Sequence, residues 1–142
     1  MAGRVIFVCE HGAAKSVLAA ACFNALAGTH GLPFEAVARG TAPDPDYPPS
    51  VREWLTRQGL PRGSPPEALA HRDLVGAVRI VTFDRPEVAG RCPPGSALAA
   101  WDGLPAVSAD FERAREAIEQ KVGALLESLS RERPGESVGS GP

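Results

Sequence analysis

The residues best suited to chemistry lie close together near the start of the chain, in Cys9-Glu10-His11-Gly12-Ala13-Ala14-Lys15-Ser16. A thiol followed by three small residues, a cation and a hydroxyl is the composition of an anion-binding loop. Gly12, Ala13 and Ala14 let the backbone curl tightly, and Gly12 can take positive φ without strain. Such a loop points successive backbone N–H groups inward at a helix N-terminus, where the helix dipole also favours negative charge. The same field stabilises a thiolate: helix N-termini and nearby cations lower a cysteine pKa from its ordinary value of about 8.5. Lys15 supplies a cation and Ser16 a hydroxyl that can bond the sulfur. Cys9 is therefore a candidate nucleophile toward an oxyanion.

That chemistry needs a strand to deliver Cys9 and a helix to receive Ser16. Arg4 to Cys9 is a short apolar run suited to a strand buried on both faces. Ser16 to Ala27, apolar nearly all round, suits a buried helix. Phe34 to Ala38 reads as a second strand and Gly40 to Pro49 as a turn-rich connection. Ser50 is a cap for a helix running to Gln58, with Gly59 as its stop and Pro61 beyond. Pro65 to Ala70 predicts a weak helical turn, Ala77 to Phe83 a third strand, and Asp84 to Gly95 a Pro- and Gly-rich loop with room for one helical turn. A short fourth strand follows at Ala97 to Trp101.

The clearest helix runs from Ala109 to Leu129. Phe111, Ala114, Ile118, Val122, Leu125 and Leu129 recur at intervals that place them on one face. Ser108 is its expected N-cap, and Asp110 and Glu112 suit its positive end. Strands alternating with helices predict an α/β fold: a four-stranded parallel sheet with helices on both faces. Ligands of such sheets bind beyond the carboxyl ends of the strands, where Cys9 falls.

The 142 residues fit one domain, expected over 1–130, with a polar Gly/Ser/Pro-rich tail over 131–142. A formal charge of -2 gives no footing for nucleic acid or an anionic membrane. No apolar run approaches the roughly 18 residues of a membrane span. The apolar stretch from Val5 to Cys9 is also too short for a signal peptide, so a cytoplasmic location is expected. Three cysteines are too few, and an odd number, for a disulfide scaffold. Cys22 sits among alanines and Phe23 and reads as a core residue. His30 and His71 read as surface residues, and Trp54 and Trp101 as packing residues. Cys9, Glu10 and His11 alone do not make a tetrahedral metal site, so neither metal nor organic cofactor is expected.

The segment from Cys9 to Ser16 resembles the active-site loop of the low-molecular-weight protein tyrosine phosphatases and related arsenate reductases: Cys, five residues, Arg, then Ser or Thr, after the first strand. Gly40-Thr41, the helix from Ser50, Val81-Thr82 and the final helix fall in the family's order. The resemblance implies nucleophilic attack by Cys9 through a phosphocysteine. The N–H groups of Glu10, His11, Gly12, Ala13, Ala14 and Lys15, with Ser16, would hold the oxyanion.

Three departures stand out. Lys15 replaces the arginine, giving a point charge where a bidentate fork is usual. The family's Asp-Pro acid falls on Ala106-Val107, leaving Asp102 as a nearby carboxylate. Trp101 and Tyr47 are the candidates for an aromatic substrate slot. Finally, Cys92-Pro93 resembles the later of two relay cysteines in thioredoxin-linked reductases, and the earlier one has no counterpart. The readings left open are a cysteine-dependent phosphatase, an arsenate reductase using an external thiol, and a non-catalytic oxyanion-binding module.

Overall fold

The computed structural model describes residues 3–59 and 65–132. The predicted tail from 133 onward and Pro61 lie outside them. Four parallel strands stand in the order β2-β1-β3-β4. They are β1 (Gly3–Cys9), β2 (Phe34–Gly40), β3 (Arg79–Thr82) and β4 (Leu98–Ala100). The helices are α1 (Lys15–Thr29), α2 (Pro49–Arg57), a single turn α3 (His71–Leu74) and α4 (Phe111–Arg131), and a 3-10 helix covers Pro86–Arg91.

Alternation along the central strand sorts the core into two layers. Val5 and Phe7, with Cys9 at the end, face a cluster made with Leu18 and Phe23 of α1, Trp54 of α2 and Ile118 of α4. Ile6 and Val8 face the opposite layer, with Ile80, Leu69, Leu74 and Val88. The sheet is thus covered on both sides, as the near-continuous apolar run of β1 requires. Trp101 stacks on Phe7 and Phe83, with ring centroids 5.6 and 5.7 Å away. The outer edge of β2 is closed by Asn24, whose side chain accepts from Ala36 N–H at 2.7 Å and donates to Ala36 C=O at 3.0 Å.

Local differences from the sequence reading have identifiable causes. α2 starts at Pro49, with Pro48 as N-cap in place of Ser50; a proline ring already holds the φ of a first helical residue. Gly59 follows the helix with φ +68°, as a helix stop does. The helical turn predicted over 65–70 is an extended segment. Its Glu67 C=O and Leu69 N–H bond Gly40 at 2.9 Å each, extending the sheet edge where Pro65-Pro66 disfavour helix. α4 is capped by Asp110, which accepts from Arg113 N–H at 3.1 Å, and Ser108 is free of that task. Among the described residues no helix is long and apolar enough to cross a membrane.

Candidate active site

Cys9 ends β1 opposite Gly40 of β2, and the chain curls from there into α1. Three loop carbonyls are taken from outside. Thr41 N–H donates to Cys9 C=O at 3.1 Å, Ala42 to Glu10 at 2.7 Å and Asp44 to His11 at 3.1 Å. In a planar trans peptide, the N–H of the following residue points away from the carbonyl. Anchoring these carbonyls therefore turns the N–H groups of Glu10, His11 and Gly12 the other way. The close approach needs two glycines. A Cβ on Gly12 (φ +61°) would lie 2.7 Å from Gly40 N, and one on Gly40 would lie 2.7 Å from Gly12 N. Gly40 thus belongs to the site as a spacer; its place after the second strand was the signal in the sequence.

Cys9 is 8% exposed and Ser16 fully buried, and their Sγ and Oγ atoms are 3.0 Å apart. The hydroxyl can donate to a thiolate there. The α1 N-terminus carries no side-chain cap, so its first amides are not claimed by one. Above Cys9 opens a cavity of about 430 Å³. The floor is the 9–15 loop, and Asp44, Pro48 and Ser50 form one side. The facing wall is Phe83, Asp84 and Arg85 after β3, with Ala106, Val107 and Ser108 before α4.

The structure gathers most of the sequence-selected residues and disperses the rest. Glu10, His11, Ala13, Ala14 and Lys15 all line the cavity, while Gly12 braces the loop from behind. Lys15 reaches across to the wall, donating to Leu104 C=O at 3.3 Å and to Asp84 Oδ2 at 3.4 Å. His11 Nδ1 lies 3.0 Å from Asp44 Oδ1, and its Nε2 is 3.7 Å from Glu10. Asp102 does not line the cavity. Its Oδ1 accepts from Asp84 N–H at 2.7 Å, and Asp84 Oδ1 in turn accepts from Gly103 N–H at 3.0 Å. This reciprocal pair holds Asp84 at φ +57°, the one described non-glycine residue with positive φ. Sequence reasoning missed Asp84 and Arg85, which read as ordinary loop charges.

The aromatic slot is not built as the resemblance implied. Trp101 is buried in the core, and Tyr47 lines a different hollow, beside Ala20 and Leu55. Phe83 is the aromatic of the cavity wall. Cys92 packs on the layer of Ile6, Val8 and Ile80, across the sheet from Cys9, and its thiol donates to Val88 C=O at 3.3 Å. Burial pushes that thiol's pKa up. Cys22 is buried against α4, and desolvation, with the nearby Glu119 carboxylate, pushes its thiol from 9.0 up to about 12. Neither is placed to exchange with Cys9.

No protein-family model and no curated protein sequence matches the chain. Solved structures do. A low-molecular-weight phosphotyrosine phosphatase from Vibrio cholerae superposes with TM-score 0.78 at 20% identity, covering 92% of this chain and 98% of that one. An arsenate reductase from Archaeoglobus fulgidus gives TM-score 0.68 at 25% identity over 87% and 98% of the two chains. A thioredoxin-dependent arsenate reductase from Corynebacterium glutamicum gives 0.75 at 23% identity; 93% of this chain is covered, but it spans only 64% of that one. With its parallel sheet, its strand order and its cysteine loop at the end of β1, the chain has the fold of the low-molecular-weight protein tyrosine phosphatases and arsenate reductases.

Proposed function

We propose that the protein is a cysteine-dependent phosphatase acting on small phosphomonoesters through a phosphocysteine intermediate. The observation that carries this reading is the Cys9–Ser16 contact at 3.0 Å, at the base of a loop whose carbonyls are tied outward. Cys9 attacks phosphorus as the thiolate, and the bond from phosphorus to the leaving oxygen breaks. Loop N–H groups hold the equatorial oxygens, and each such donor is worth about 2.7–4 kcal/mol in sites of this kind. The leaving oxygen needs a proton. Ala106-Val107 offers none, and Asp84 is engaged by Lys15 and Gly103.

His11 fills that role, since it lines the cavity with Cys9, its ring nitrogens can donate a proton, and Asp44 lies against its Nδ1. Asp102, the carboxylate near the position where the resemblance places the acid, is a positioning residue acting through Asp84. Water then attacks phosphocysteine, releasing inorganic phosphate and restoring the thiol. The reading requires no cofactor.

A second reading draws on two features of the wall: Ala106-Val107 stand where the resemblance places the acid, and Trp101 and Tyr47 do not line the cavity. Arsenate needs neither that acid nor an aromatic slot. Cys9 would attack arsenic as an As–O bond breaks and water leaves, giving a thiol–arsenate adduct, and an external thiol would attack its sulfur. Arsenic leaves as arsenite, and the two thiols become a disulfide that a further thiol reduces.

The test compares hydrolysis of an aryl phosphate with arsenate-dependent oxidation of a supplied thiol, using Cys9→Ser as control. Hydrolysis lost in Cys9→Ser supports the phosphatase. Thiol oxidation without hydrolysis selects the reductase. Oxyanion binding with neither reaction would make the protein a binding module.

A further inference from the structure

We infer that Arg85, not Lys15, is the cation that grips the oxyanion, so that the guanidinium has moved from the floor of the cavity to its wall. The inference rests on the oxyanion-site reading of the Cys9 loop. Lys15 stands where the resemblance places the anion-binding arginine, yet its ammonium is spent on Asp84 and the Leu104 carbonyl. Those bonds tie floor to wall and occupy two of the ammonium's three donors.

Arg85 is ion-paired too, with Glu10 and Glu87, but it differs in having no hydrogen bond. It lines the same cavity as Cys9. Its Nε is buried without a hydrogen-bond partner. Its two terminal nitrogens approach only carboxylates, Glu87 at 3.6 Å and Glu10 at 3.9 Å, both beyond hydrogen-bond length. Among the described residues, the Arg85 guanidinium thus makes no hydrogen bond, and the residue lines the cavity over Cys9.

The backbone holds it ready. Asp84, fixed at positive φ by its exchange with Asp102 and Gly103, precedes it, and the Pro86 ring follows. A residue before proline is kept out of the helical region, and Arg85 adopts φ -128° and ψ 67°, outside both the helical and the extended regions. Arg85 also answers the charge problem of the loop. Glu10, next to the nucleophile, repels an incoming anion; a guanidinium between Glu10 and the ligand offsets that repulsion. A phosphate or arsenate dianion would take both terminal N–H groups in a bidentate contact that lysine cannot make.

Direct binding tests this without relying on turnover. Titration calorimetry with inorganic phosphate, and separately with arsenate, is run on the full chain as Cys9→Ser alone and combined with Arg85→Ala, Arg85→Lys or Lys15→Ala. Removing charged hydrogen bonds predicts a roughly tenfold to hundredfold affinity loss for Arg85→Ala. Arg85→Lys should recover only part of it, and Lys15→Ala should lose less than Arg85→Ala. Circular dichroism confirms that each variant is folded. Unchanged binding in Arg85→Ala, or a larger loss in Lys15→Ala, would overturn the assignment of Arg85. Binding of neither anion to the parent would instead overturn the oxyanion-site reading, and the assignment with it.

Discussion

The floor and the wall of the cavity were assembled by different means. The floor is a continuous segment, residues 9–16, whose geometry is over-determined: two glycines in backbone contact, three anchored carbonyls and a buried serine on the sulfur. The wall joins two separate segments, 83–85 and 106–108. It is stapled by the Asp84–Asp102–Gly103 exchange and by Lys15. The floor keeps the spacing of the loop it resembles. The wall has no carboxyl where the resemblance places the acid and carries an arginine with no hydrogen bond. In our reading cation and proton donor have exchanged sides.

The largest expected effect comes from breaking the floor. Gly12→Ala puts a Cβ 2.7 Å from the Gly40 amide at a φ that L-residues rarely adopt, so the loop must shift. Displacing the donors should lower kcat/KM by about 10³-fold, on the scale of lost oxyanion contacts. A steady-state comparison with the parent checks it, and unchanged kinetics would show that the cradle is not used.

The next effect sharpens the contrast between the two sides. Losing a general acid typically costs about 10²-fold or more, so His11→Gln should slow phenyl phosphate by that much. Nitrophenyl phosphate, whose leaving group needs less protonation, should lose much less. Equal losses on both substrates would make His11 structural only.

The smallest effect concerns the thiols away from the cavity. Cys22 is raised from 9.0 to about 12 in the folded protein, so the folded state holds its proton longer than the unfolded chain does. Its stabilising share is complete below about pH 9, declines as pH rises past the unfolded value, and is gone above about pH 12. Urea melts of Cys22→Ala should show a shallower alkaline loss of stability than the parent. At pH 8, iodoacetamide should label Cys9 in the folded protein and spare Cys22, as peptide mapping can read.

Much of this was legible in the sequence, where structure is set locally. The apolar run of β1, the period of α4 and the small residues after Cys9 are short-range signals, and they marked the sheet and the floor. The wall was harder to read. Asp84 and Arg85 gain their meaning from Gly103, Lys15 and Glu10, partners 19 to 75 positions away that only the tertiary structure brings near. Asp102 shows the same limit from the other side: nearness in sequence to Ala106 did not place it in the cavity. The caps misread at Ser50 and Ser108 follow from competition. Pro48 and Asp110 took the N-cap positions, and both serines line the cavity.

The central claim is that Cys9 is the nucleophile. Rapid quenching of the parent protein with an aryl phosphate, followed by peptide mass analysis, tests it most directly. The account predicts an adduct with the mass of one phosphoryl group on the peptide containing Cys9, formed and lost at rates that accommodate turnover. Hydrolysis that continues undiminished in Cys9→Ala, with no such adduct in the parent, would contradict it.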